Sequence, residues 1–199
     1  MATTSNKLDV AHEIKLDHDN VRDLWSRFQA SSDKNERAVL ANTLVREMAV
    51  HGDAEEVSIY NDYSNLGLGG EVEHNKEEHA EIKKLVDRAD SASINHSEYD
   101  AVVGKAVNAF LTHAGEEEND QLNKIRTKLS PEDNHKLAVQ FLKARKMVPT
   151  RPHPAAPQTG GAAQKAAGAF GSLHDKVVEK VGGRDFAPLK YQHPHVNSL

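Results

Sequence analysis

Between Asp9 and Lys146, apolar positions recur at alternating intervals of three and four residues, and this spacing predicts five helices. The first runs from Asp9 to Gln29 with a stripe of Ile14, His18, Val21, Trp25 and Phe28. Ser31-Ser32-Asp33 breaks the pattern and offers N-caps, after which Asn35 to about Tyr63 carries Leu40, Leu44, Met48, His51, Glu55 and Ser58. A glycine-rich connection from Asn65 to Gly70 leads to a third helix, Glu71 to Ala89, striped by Val72, Asn75, His79, Ile82 and Val86. The fourth, Ser97 to Leu129, shows Val103, Ala106, Phe110, His113, Glu117 and Asp120 on one face. Ser130-Pro131 ends it and begins a fifth, Pro131 to Lys146, amphipathic through Leu137, Phe141 and Leu142 and expected to pack across an end of the bundle. No stretch alternates with period two, so no strand is predicted.

Regular structure should stop at Pro149, Pro152, Pro154 and Pro157, and residues 160–171 are Ala/Gly-rich and linker-like. Leu173, Val177, Val178 and Val181 suit one short helix near 171–182, and the remainder to Leu199 reads as extended or disordered. At 199 residues the chain has room for one core and a tail. The predicted organisation is a flexible N-terminus (1–7), a bundle (8–147) and a tail (148–199). The fold class is all-α: an up-down-up-down four-helix bundle with a fifth short helix and a largely disordered C-terminal tail.

Composition removes several function classes. A net charge of -5 and 5% aromatic residues give neither a field for phosphate backbones nor stacking platforms, so no nucleic-acid partner is expected. The chain has no cysteine, which excludes disulfides, thiolate metal sites, iron–sulfur clusters and cysteine nucleophiles. The N-terminal residues are polar, without the apolar core of a signal peptide, and no apolar run of about 18 residues occurs. A soluble cytoplasmic protein without a membrane partner is expected.

The polar residues that interrupt the apolar stripes are the informative ones. His51 and Glu55 lie four apart, as do His113 and Glu117, and a lone histidine precedes each pair, His18 by 33 residues and His79 by 34. Asp17 to Leu24 also matches Glu78 to Leu85 as acid, His, two variable, β-branched aliphatic, base, one variable, Leu. A duplicated helical hairpin therefore supplies one His and one His-x-x-x-Glu from each half. Residues i and i+4 differ by roughly 40° in direction, so each pair aims at nearly one point, and four helices bring four imidazoles and two carboxylates together near mid-bundle. Buried without partners, each ionised group would cost several kcal/mol, a penalty that a pair of divalent cations removes. This donor set suits iron, manganese or zinc, with the carboxylates bridging two ions and coordination positions left for a small diatomic or peroxide.

At these residues the sequence resembles the hemerythrin-like, or HHE cation-binding, family, over about Leu8 to Met147; Pro149 to Pro154 resembles the family's exit sequence. The resemblance implies two non-haem iron ions (Fe2+/Fe3+), carboxylate and oxo or hydroxo bridged, with His18, His51, His79 and His113 as terminal ligands and Glu55 and Glu117 as bridges. It departs from the oxygen carriers, which have a fifth histidine four residues from the third-helix ligand. Here His74 lies five before His79, roughly 140° away around an ideal helix, which argues against simple oxygen carriage. Three functions follow: reaction with an oxidant such as peroxide or nitric oxide, iron or oxygen sensing or storage through bundle stability, and a zinc-filled or vestigial scaffold.

Other residues receive plainer readings. Glu56 and Glu118 are expected to be solvated or helix-flanking, and Tyr60 and Tyr63 to be packed or exposed. Trp25, Phe28 and Phe110 should be core and not a ligand channel. His12, His96 and His135 belong at the surface, while His153, His174, His193 and His195 could collect metal loosely.

Overall fold

The computed structural model describes residues 7–155, 171, 175, 179–180 and 183–194. Among these no strand occurs, and the chain is built from helices in the order α1 Val10–Ala30, α2 Lys34–Ser58, α3 Tyr60–Asn65, α4 Gly69–Ser91, α5 Tyr99–Glu116, α6 Leu122–Lys128 and α7 Pro131–Arg145, with a π-helical turn, Glu117–Gln121, joining α5 to α6. The all-α reading therefore holds. The long helices α1, α2, α4 and α5 surround one interior, each packing on the next around the ring. No described helix is long and apolar enough to cross a membrane.

Local chemistry sets the helix ends. The Asp9 side chain accepts from the Ala11 N–H to start α1, Asp33 accepts from Glu36 to start α2, and Ser130 accepts from Asp133 to start α7, with Pro131 at the position where its missing N–H costs nothing. The second predicted helix is two: its path changes at Ile59, which is fully buried, and α3 follows with Tyr60 and Tyr63 turned inward. Gly67, at φ 76°, makes the left-handed turn that a side chain would resist, and α4 begins at Gly69, two residues before the predicted start. The fourth predicted helix contains the π turn immediately after the second His-x-x-x-Glu pair.

Two apolar clusters fill the bundle with a polar layer between them. One gathers Val10, Ile14, Ala54, Tyr60, Tyr63, Val72, Ile125, Leu137 and Phe141; the other gathers Val21, Leu24, Phe28, Leu40, Leu44, Ile82, Val86, Val103 and Phe110. Along α1, α2 and α4 the stripe passes from one cluster to the other at the histidine, and beyond His113 it reaches the first cluster through Leu122 and Ile125 of α6. Helix α7 lies against α1 and α2, carrying Arg145 to mid-bundle, so it flanks the bundle where an end cap was predicted.

The described part of the tail takes the extended form, one of the two expected for it. Residues 184–193 follow an extended path held on α1, α2 and α4: Arg184 pairs with Asp90, the Ala187 N–H donates to Thr43, and Tyr191 exchanges two backbone hydrogen bonds with the Asn20 side chain. The polar Asn20 and Thr43 need such partners because both are buried. Of the short helix predicted near 171–182, Gly171, Asp175, Glu179 and Lys180 are helical; Leu173, Val177, Val178 and Val181, most of the linker, and the N-terminal residues 1–6 lie outside the described residues.

Candidate metal centre

All six residues singled out in the sequence meet in the polar layer, each at most 3% exposed. His18 Nε2 and His51 Nε2 lie 3.4 Å apart, and His79 Nε2 and His113 Nε2 3.0 Å apart, giving one imidazole pair from each hairpin's ends. Glu55 places Oε1 3.6 Å from His51 Nε2 and Oε2 3.6 Å from His79 Nε2, so its two oxygens face different pairs. Glu117 Oε2 lies 3.4 Å from His18 Nε2. Two donor groups result, His51, Glu55, His79 and His113 in one, His18, His51 and Glu117 in the other, each compact enough to hold a cation.

The hydrogen-bond accounting supports a cation more strongly than convergence does. Glu55 Oε1 and both Glu117 oxygens are buried without a hydrogen-bond partner. Orphaned carboxylate oxygens are rare in folded proteins and cost about 1–3 kcal/mol each. Three together, with Glu55 Oε1 facing His51 Nε2 and Glu117 Oε2 facing His18 Nε2, fit a site whose missing partner is a metal.

Each imidazole presents its outer nitrogen to a second carboxylate. His18 Nδ1 lies 2.8 Å from Glu118, His51 Nδ1 3.3 Å from Asp17, His79 Nδ1 3.3 Å from Glu56, and His113 Nδ1 2.8 Å from Glu78. Such partners fix the Nδ1–H tautomer and leave Nε2 free to bind metal. The partner always comes from the preceding element of the ring: Asp17 on α1 serves α2, Glu56 on α2 serves α4, Glu78 on α4 serves α5, and Glu118 in the π turn serves α1. Basic side chains approach these carboxylates in turn. Arg22 lies 2.8 Å from Glu118, Lys83 3.6 Å from Glu56, His74 3.5 Å from Glu78, and Arg145 pairs with Asp17.

Protonation follows from these neighbours. Burial pushes His51 down to about 4 and also lowers His79, which keeps both neutral as metal ligands must be. Burial opposes ionisation of Glu118, but hydrogen bonds from His18 and Arg22 outweigh it and hold the carboxyl down to about 2. Burial and the neighbouring Glu117 charge push Glu55 well above the usual carboxylate range.

Glu56 and Glu118, expected to be solvated or helix-flanking, each face a histidine of the centre instead. A signal was present, since both halves carry an acid before the lone His, a base four residues after it, and an acid after the Glu. Tyr60 was also underrated: its hydroxyl donates to Glu55 Oε2 at 3.2 Å and lies 3.2 Å from His79 Nε2, because the path change at Ile59 turns it under the ligands. His74 stays outside, with a side chain 55% exposed. His153 is engaged by Asp175, and His193 by Glu13 and Asp17; His174 and His195 lie outside the described residues.

On the side of the ligand layer away from Tyr60, a small pocket reaches the His51 and His79 rings. Its walls are mainly Met48, Ile82, Val86 and Phe110, joined by Lys83 and Pro152. Phe110 is thus both core and pocket wall, whereas only the first had been expected.

The profile of the hemerythrin HHE cation binding domain matches residues 9–125, the stretch that carries all six residues. The chain belongs to the hemerythrin HHE family. An uncharacterized hemerythrin-like protein of Schizosaccharomyces pombe is 26% identical over 171 residues, covering 84% of each chain. A DNA nickase of Nostoc sp. is 23% identical over 144 residues, which cover 72% of this chain and 41% of the nickase. No solved structure matches the chain significantly. A hemerythrin-like domain with a buried His/Glu cluster suited to a cation is the outcome.

Proposed function

We propose that this hemerythrin-family protein holds two non-haem iron ions and uses them to react with, or sense, a small oxidant or gas such as oxygen, peroxide or nitric oxide. The observation that carries this reading is the set of three orphaned oxygens on two buried carboxylates aimed at four imidazoles. His18 and His51 would serve one ion, His79 and His113 the other, with Glu55 and Glu117 shared between them. Iron held this way supplies one- and two-electron exchange with a small ligand.

The surrounding residues support that class of ligand. The pocket against His51 and His79 has largely apolar walls, which suits a small uncharged molecule over a charged metabolite. Tyr60 keeps a neutral hydroxyl in the dry interior, because burial and nearby carboxylates push its pKa well up, and it can donate a hydrogen bond toward the ligand layer. His74, half-exposed at the surface, adds no fifth imidazole, which favours reaction or sensing over carriage.

The test is anaerobic loading with ferrous iron, iron analysis, and an optical spectrum before and after oxygen, peroxide or nitric oxide. Two irons per chain and a ligand-dependent spectrum are expected, with metal content falling sharply in His51→Ala and Glu117→Ala and unchanged in His153→Ala. Less than one iron per chain, or equal content in all three variants, would sink the proposal in favour of a zinc-filled or vestigial scaffold.

A further inference from the structure

Three of the four outer carboxylates take their basic neighbours from the four-helix ring itself: Glu118 has Arg22, Glu56 has Lys83 and Glu78 has His74. Asp17 differs. Its Oδ2 faces His51 Nδ1 and accepts from Arg145 of α7, and its Oδ1 accepts from His193 Nε2 at 2.7 Å. His193 lies 176 residues away in sequence, in the extended C-terminal segment, and its Nδ1 is held 2.8 Å from Glu13 Oε2. The same segment is anchored nearby through the Ala187 N–H on Thr43 at 2.8 Å and the Tyr191 N–H on Asn20 at 2.9 Å.

We propose that docking of the C-terminal segment and occupancy of the metal centre are coupled through the chain His193–Asp17–His51, with His193 acting as a positioning residue. The inference rests on the metal-centre reading above. Metal on His51 Nε2 draws electron density from the ring and strengthens donation of Nδ1–H to Asp17. Asp17 presents the receiving oxygen in a fixed direction while Arg145 and His193 hold both sides of the carboxylate. A docked segment therefore raises metal affinity. By reciprocity, metal tightens docking by the same factor, so the segment reports whether the centre is filled.

The experiment uses the full chain, metal-free and loaded anaerobically with ferrous iron. Iron affinity is read by chelator competition, and hydrogen exchange is read at the Ala187 and Tyr191 amides. In the wild type both amides should exchange faster without iron. His193→Ala should weaken iron binding about tenfold, the lower end of what losing an outer partner such as Asp17 costs, and make amide exchange indifferent to iron. His193→Gln, which keeps a donor for Asp17, should recover most of the affinity; a role limited to packing the tail would not separate these two variants. Equal amide exchange with and without iron, or wild-type affinity in His193→Ala, would overturn the coupling. His51→Ala serves as the reference. If it loses iron while His193→Ala does not, only the coupling fails; if it keeps iron, the metal-centre reading fails and takes the coupling with it.

Discussion

Replacing Glu55 by Gln separates the metal-binding role of that side chain from its structural one. In the metal-free protein burial and the neighbouring Glu117 favour the neutral form of the Glu55 carboxyl, whose shape and charge a glutamine amide matches. The Tyr60 hydroxyl can donate to the amide oxygen as it does to Oε2. Metal-free stability should therefore change by no more than about 1 kcal/mol, the scale of one hydrogen bond. The loaded protein should behave otherwise. At metal a hundredfold above Kd, binding stabilises the wild type by about 2.7 kcal/mol, which is roughly 5–11 °C in Tm for a chain of this size. Glu55 faces both imidazole pairs, so losing its charge should weaken binding at least as much as losing an outer partner, about 100-fold. The same metal concentration then sits near Kd, leaving about 0.4 kcal/mol and a shift under about 2 °C. Thermal melting of both proteins with and without ferrous iron, under anaerobic conditions, is the assay. An undiminished metal-induced shift in Glu55→Gln, or a metal-free variant destabilised by several kcal/mol, would refute the reasoning.

Two further outcomes follow from the elements that flank the bundle. Arg145→Ala leaves the buried Asp17 and Glu47 without their shared cation, and denaturant unfolding should show a loss of about 3–5 kcal/mol. For His193, burial acts to lower the pKa but hydrogen bonds to Asp17 and Glu13 outweigh it and raise it to about 9, so its contribution is fully present below pH 6.5 and lost as pH rises through 9; hydrogen exchange at the Tyr191 amide should accelerate across that window.

The ligand set was legible because its spacing is helical and doubled: His51 with Glu55 and His113 with Glu117 each sit on a stripe that a single helix displays. The outer carboxylates were harder to read. Glu56 and Glu118 lie next in sequence to Glu55 and Glu117, about 100° around the helix, where a stripe assigns them to solvent. They are drawn inward because a neighbouring helix offers an imidazole there, a fact of the closed ring that no single helix carries. Tyr60 was obscured by the path change at Ile59, where periodicity predicted uninterrupted helix. The C-terminal segment binds through backbone groups and buried polar side chains, including Asn20 and Thr43, and so leaves no apolar period to find.

The handing of each outer carboxylate to the next helix has a consequence for how the centre comes into being. Removing any one of the four long helices, α5 together with its π turn, takes away a ligand and also disarms an imidazole on its neighbour, so no hairpin alone contains a complete half-site. An isolated first hairpin has His18, His51 and Glu55 but lacks Glu118, and an isolated second hairpin has His79 and His113 but lacks Glu56. Metal affinity should therefore emerge in one step with the last helix to close, making a filled centre a certificate of finished folding and a half-assembled chain a poor scavenger of iron.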